Sequence, residues 1–324
     1  MLRWLAGVVL LVCAAAPARA LDYPGHPVTL IVAFPPGGAS DVLSRIIARR
    51  LEQILGQPFV IENRPGAGGN VAAETVAHAA PDGYTLLNAN NAILATNAAL
   101  YRRINFDAEA DFAPIGLIGS QANILVVNPA LPVHSLAELI ALAKANPGKL
   151  NFASSGHGLA AHLAGELFKV EAGVDLVHVP YKGAAPALQD VVAGHVQMMF
   201  ATASSVVSHI REGRLRPLAV TTLWRCSVVP DIPTRDELGI KNFDATTWHG
   251  RVAPARTPPA VVEALHGALA ATLDDAAVAK SLGDLGIDII GGTPANLRLY
   301  QIGNPEVDRD REGVGRTARL RRVE

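Results

Sequence analysis

Apolar residues fill positions 4–16 without a break, with Arg3 before them and Ala18-Arg19-Ala20 after. A basic start, an apolar stretch and small residues at both cleavage-determining positions predict a secretory signal peptide over 1–20, cut after Ala20. The stretch is shorter than the roughly 20 residues a spanning helix needs, so a membrane anchor is disfavoured. Beyond it the pattern becomes rhythmic. Residues 28–34 read as a buried strand, stopped by Pro35-Pro36-Gly37-Gly38. Ser40 reads as the N-cap of a helix over 41–55, whose Val42, Leu43, Ile46, Ile47, Leu51, Ile54 and Leu55 hold helical spacing, and Gly56 ends it. A strand at 59–63, a second glycine loop at 65–69, a helix over 71–79 capped by Asn70, and a strand at 84–87 follow. After a pause near 115–128 the rhythm restarts. Ser135 caps a helix over 136–145. Strands are expected at 150–153, 177–181, 196–200 and 217–221, with helices reaching about 170 and spanning 185–193. Alternating strands and helices imply parallel sheets covered on both faces. The restart implies a second lobe built by the same rules.

Composition narrows the picture. Of 324 residues, 50% are hydrophobic and 18% charged, which excludes a disordered chain and allows a sizeable core. Lys and Arg total 28 against 29 Asp and Glu, so no basic excess points to nucleic acid. The two cysteines, Cys13 and Cys226, exclude a disulfide scaffold and a thiolate metal set; cleavage after Ala20 would leave Cys226 alone.

Several loops repeat one device: a strand ends, glycines allow a tight backbone, and a helix begins. The first amides of a helix have no partner within it and carry about half a positive charge, so they hold a carboxylate or phosphate without any Lys or Arg. Four such starts, at 37–40, 66–70, 154–158 and 182–184, are expected to face one cleft between the lobes. Catalytic patterns are weaker. Val71 stands where a dinucleotide fingerprint needs its third glycine, no Walker lysine follows a glycine loop, and Ser154-Ser155 lies outside a Gly-x-Ser-x-Gly elbow. The ten histidines show no metal-ligand spacing; His157 and His162, five apart, fall off a common helix face. No metal or cofactor is expected.

Together, Phe-Pro-Pro-Gly-Gly-Ala-Ser-Asp at 34–41, Glu-Asn-Arg-Pro-Gly-Ala-Gly-Gly-Asn at 62–70 and Pro-Asp-Gly-Tyr-Thr-Leu at 81–86 form an ordered series. It continues with His-Leu-Ala-Gly-Glu-Leu-Phe-Lys at 162–169, Val-Pro-Tyr-Lys-Gly at 179–183 and Pro-Asp-Ile-Pro-Thr at 230–234. In these stretches the chain resembles the Bug/TctC periplasmic solute-binding proteins of tripartite tricarboxylate transporters, from about residue 22 to 300. The resemblance implies a type II periplasmic-binding-protein-like α/β fold, each lobe a mostly parallel sheet flanked by helices. Lobe 1 would cover 21–122, with 222–300 returning to it and to the hinge, and lobe 2 would cover 123–221. It implies a periplasmic, non-enzymatic and monomeric receptor that closes on a small organic carboxylate and delivers it to membrane permease subunits. The ligand contacts it implies are Phe34, Pro36, Gly38, Ala39, Ser40, Gly66, Ala67, Gly68 and Asn90 from the first lobe, and Ser154, Ser155, His162 and Tyr181 from the second. Asp41 would support the first loop rather than touch an anion. Two other readings stay open: a secreted α/β hydrolase using Ser154 or Ser155 with His162, and a ligand-sensing protein serving a signalling partner.

Three departures from the family pattern stand out. Leu159 replaces a usual Thr and Ala201 a usual Asp, which favours a less polar or aromatic carboxylate over a citrate-like one. Residues 301–324 are arginine-rich without amphipathic period, where the family has an amphipathic helix containing a Trp. The expected cause is a frameshift near Tyr300, the alternative a basic docking tail.

Overall fold

The computed structural model describes residues 23–239 and 245–301, folded as two sheets with helices on both faces of each. The expected signal peptide and all but the first residue of the atypical tail lie outside the described residues. The first sheet has the order β11-β4-β10-β3-β1-β2, from β1 (Val28–Val32), β2 (Phe59–Asn63), β3 (Thr85–Asn90), β4 (Phe112–Gln121), β10 (Thr247–Pro254) and β11 (Ile287–Ile289). The second has the order β7-β6-β8-β5-β9, from β5 (Asn123–Val127), β6 (Asn151–Ser154), β7 (Val177–Pro180), β8 (Met198–Thr202) and β9 (Arg216–Val220).

Strand alternation sends neighbouring apolar residues to opposite faces, so each sheet carries two cores. Leu30 and Leu86 pack on one face of the first sheet with α1 (Ala39–Leu55), while Ile31 and Leu87 pack on the other with α2 (Asn70–Ala77). In the second sheet Phe152 and Phe200 face α4 (Leu136–Ala145) and α5 (Ala160–Ala172), and Ala153 and Met199 face α6 (Ala184–Ala193) and α7 (Ala203–Arg211). The first lobe is completed by the short α3 (Asn97–Leu100), α8 (Pro259–Leu273), α9 (Ala276–Asp284) and α10 (Pro294–Gln301).

The sheets are mixed, which corrects the expectation of mostly parallel ones. β1 runs parallel to β2 and β3, and β6 to β7 and β8, where strand and helix alternate. β10 is antiparallel to β3 and β4, and β5 to β8 and β9. The cause is the crossing. β4 passes through Ala122 alone into β5, and the chain returns after β9 to enter the first sheet as β10. A polar staple joins the two crossings: the Thr221 hydroxyl donates to the Asn123 and Ala245 carbonyls, and Asn123 Nδ2 donates to the Ala245 carbonyl at 2.6 Å.

Helix ends follow local chemistry closely. Gly56 closes α1 in the left-handed region at φ 72°, and the Ser135 hydroxyl accepts the Glu138 amide to start α4. Two caps differ from expectation. α1 begins on extended Gly38, whose carbonyl takes the Asp41 and Val42 amides, so Ser40 lies inside the first turn. α2 begins at Asn70 itself, with Gly69 before it, and Asn70 Oδ1 accepts from Asn97 Nδ2 at 2.6 Å.

Candidate binding cleft

A cavity lies between the sheets where their helices begin. Its first-lobe wall is the 34–40 loop, Asn90, Asn91, Thr247 and His249. Its second-lobe wall includes Ser155, Leu159 to Ala161, Gly183 to Ala185 and the β8 residues 199–202, with Asn123 at the crossing. The lobes touch at the rim: the Thr96 hydroxyl donates to the Gly158 carbonyl at 3.3 Å, and Gly183, at φ 117°, packs against Pro35, where an added Cβ would come within 3.0 Å of the ring.

Four helices start on this cavity: α1 after Gly38, α5 after Leu159, α6 after Gly183 and α7 after Thr202. None has a side-chain cap. Of the starts that lie elsewhere, α4 and α9 are capped by Ser135 and Asp275, while α2, α3 and α8 have no side-chain cap. First-turn amides left without a cap form an anion-binding surface. Asp41 does not occupy it. Its carboxylate instead braces the loop, accepting from the Gly37 amide at 2.9 Å, Arg45 Nε at 3.0 Å and Asn63 Nδ2 at 3.0 Å, while Asn63 also donates to the Phe34 carbonyl. Burial pushes the Asp41 carboxyl up, but these hydrogen bonds and the Arg45 charge outweigh it and hold its pKa below the usual range.

Two buried side chains bring unpaired polar atoms to the cavity lining. Asn123 Oδ1 has no partner, and neither does His249 Nδ1. The Ser204 hydroxyl donates to Gln121 Oε1 at 2.6 Å, so the Gln121 amide nitrogen, 3.1 Å from His249 Nε2, is the donor there. The neutral ring then carries its proton on Nδ1, a buried donor without an acceptor. Burial, and then the nearby Arg251 charge, push the His249 pKa down to about 4, which keeps the ring neutral near pH 7. Arg251, two residues further along β10, is itself fully buried with three unpaired guanidinium nitrogens. Burial lowers its pKa to about 9.

Of the residues expected at the site, Phe34, Pro36, Gly38, Ala39, Ser40, Asn90 and Ser155 line the cavity. Gly66, Ala67 and Gly68 do not; this loop lies at the lobe contact, with Gly68 against Tyr101 and the His157 carbonyl. Ser154 is fully buried, its hydroxyl 2.7 Å from His178 Nε2 rather than paired with His162. His162 accepts the Gly158 amide on Nδ1 at 3.1 Å. Tyr181 donates to Asp190 at 2.6 Å, and burial followed by this bond raises its pKa to about 12. Ser154, buried outside the cavity, pairs with His178 and so does not form the Ser–His162 pair of the hydrolase reading; Ser155 lines the cavity, while the His162 ring accepts the Gly158 amide. Asn123, Thr247 and His249 escaped sequence reading because they sit on the crossing and return strands, which carry no glycine-loop signal. Leu159 and Ala201, the two departures, both line the cavity.

Comparison with known proteins now adds to the geometry. Residues 43–311 match the model of the tripartite tricarboxylate transporter family receptor. The chain is 39% identical over 287 residues to the protein BugT of Bordetella pertussis, covering 88% of each. Among solved structures, Rpa4515 of R. palustris with adipate superposes with a TM-score of 0.85 at 37% identity, covering 90% of this chain and 97% of that one. MatC of Rhodopseudomonas palustris with bound malate gives 0.82 at 33%, covering 89% and 98%. The architecture is thus the two-lobed periplasmic-binding-protein-like fold.

Proposed function

The chain belongs to the tripartite tricarboxylate transporter receptor family, and from that premise we propose that it is a periplasmic receptor for a small organic carboxylate. The observation that carries this reading is the meeting of four helix starts without side-chain caps on one cavity, beside the unpaired His249 Nδ1 donor. A carboxylate accepts from such amides, and from the His249 Nδ1–H, without a formal ion pair. Residues 1–20 export the chain and are removed after Ala20, and the closed, loaded form docks on membrane permease subunits as a monomer. The ligand-contacting set comprises Phe34, Pro36, Gly38, Ala39, Ser40, Asn90 and Ser155, joined by Asn123, Thr247 and His249.

The ligand's hydrocarbon portion faces Leu159, Ala160, Ala161 and Ala201, which favours an unsubstituted or aromatic carboxylate over a polyhydroxylated one. The adipate and malate held by the two R. palustris relatives bracket this choice. The cavity encloses about 70 Å³, several times the roughly 10–15 Å³ that one water needs. A ligand that touches both lobes shifts their equilibrium towards closure. Thermal unfolding with a panel of mono-, di- and tricarboxylates tests the reading. At about 100 times Kd the cognate ligand adds about 2.7 kcal/mol to stability. A panel in which no carboxylate raises the Tm refutes it.

A further inference from the structure

Outside the cavity, on the second-lobe side of its rim, three imidazoles converge. His157 belongs to the loop between β6 and α5, His162 to the first turn of α5, and His178 to β7, which pairs with β6. One nitrogen of each lies within 4.8 Å of the others. The His162 and His178 rings stack with centroids 4.2 Å apart, and His157 stands edge-on to them at 5.4 and 5.1 Å.

The surrounding hydrogen bonds orient two of the rings as ligands. The Ser154 hydroxyl lies 2.7 Å from His178 Nε2 and 3.2 Å from the Gly156 carbonyl; with its proton on that carbonyl it accepts from Nε2 and leaves the lone pair of the neutral His178 ring on Nδ1. On His162, Nδ1 accepts the Gly158 amide at 3.1 Å and therefore holds the lone pair, while Nε2 faces Glu166 Oε1 at 4.0 Å. Ser154 thus stands behind the His178 ring as the kind of outer partner that metal-binding histidines characteristically have, and Glu166, paired with Lys169, lies near His162 Nε2. A tetrahedral ion at about 2.0–2.1 Å from each nitrogen sets the nitrogens roughly 3.4 Å apart. Binding therefore needs the rings to approach and the stacked His162 and His178 to turn, and His157, exposed and flanked by Gly156 and Gly158 at φ 147° and 77°, has the freest backbone for it.

We propose that His157, His162 and His178 bind one zinc-class divalent ion, with water as the fourth ligand. Imidazole nitrogens suit zinc, copper and nickel rather than magnesium or calcium. The ion takes the place of the Gly158 amide on His162. It therefore acts on the loop through which the second lobe meets Thr96 and Gly68 of the first.

The test is calorimetric titration of the whole, chelator-stripped protein with Zn²⁺ and no carboxylate present, which separates this outcome from that of the ligand reading. One site per chain and a zinc-dependent rise in Tm are expected. His157→Ala removes an exposed ring and leaves the fold intact; it is expected to weaken zinc binding by at least about tenfold. His134→Ala, on a distant exposed turn, is expected to leave binding unchanged. Cobalt(II) is expected to show the visible spectrum of a four-coordinate, nitrogen-ligated ion in the parent protein and to lose it in His157→Ala. Absence of a stoichiometric site, or equal zinc affinity in parent and His157→Ala, overturns the proposal.

Discussion

The two walls of the cleft use the same backbone device and differ in everything around it. On the first-lobe wall the start of α1 adjoins Asn90, Thr247 and His249, with the buried charge of Arg251 two residues along the same strand. On the second-lobe wall the starts of α5, α6 and α7 adjoin Leu159, Ala160, Ala161, Ala184, Ala185 and Ala201. Bare amides attract a carboxylate on either side, but the first wall adds buried polar side chains and a nearby cation, where the polar side chains of the second are only the Ser155 and Thr202 hydroxyls. The second adds apolar surface, worth about 0.8 kcal/mol for each buried methylene. On the proposed reading this difference orients the ligand, with a carboxylate towards β10 and the hydrocarbon against Leu159 and Ala201.

The largest effect expected on the polar wall is on stability. His249 has a folded pKa of about 4 against 6.5 unfolded, so the unfolded chain binds more protons between those values. Stability is full above pH 6.5 and falls as pH drops towards 4, by on the order of 3 kcal/mol. Urea unfolding at pH 7 and pH 4.5 is expected to show this loss, and His249→Gln to remove much of it. A variant that loses as much stability as the parent assigns the acid sensitivity to other groups.

Next comes the helix start itself. Gly38 is extended, and a Cβ there meets only the Pro35 carbonyl at 3.5 Å. Gly38→Asp should cap α1, raising stability by a few tenths of a kcal/mol. It should also weaken carboxylate binding about 100-fold, or roughly 2.7 kcal/mol, because the new carboxylate takes the ligand's amides. Parallel Tm and calorimetric measurements check the opposed signs; unchanged affinity would mean that the ligand does not use these amides.

Arg251→Met separates the cation from the backbone device. Through an effective dielectric near 20 a nearby charge is worth on the order of 1 kcal/mol, so affinity is expected to fall by roughly five- to tenfold. Stability should hold or rise, since the guanidinium is buried without a counter-charge. The smallest change is on the apolar wall. Leu159→Thr is expected to weaken an unsubstituted dicarboxylate about fivefold while a hydroxylated one loses little, a ratio that competition binding measures directly.

How much of this was legible beforehand depended on where the causes lie in the chain. α4 appears over the residues its pattern marked because Ser135 and the apolar spacing act within a few positions of each other. Gly56 likewise ends α1 by its own backbone freedom. The loops at 37–40 and 182–184 were readable as helix starts for the same reason. β10 was not: Thr-Trp-His-Gly-Arg-Val-Ala-Pro looks too polar for a central strand, yet His249 and Arg251 are buried between β3 and β4.

The same divide runs through the site. Ser154, His162 and Tyr181 carry family motifs, yet their side chains turn to His178, the Gly158 amide and Asp190. Spacing within the chain ranks residues by type and neighbourhood, and over short distances that suffices for elements, caps and loop starts. It carries no information on which strand lands beside which. The meeting of His178 with His157 and His162, the burial of Arg251, and the turning of one cleft wall polar and the other apolar follow from sheet order alone. Contacts between distant residues arise from packing, which no local period encodes.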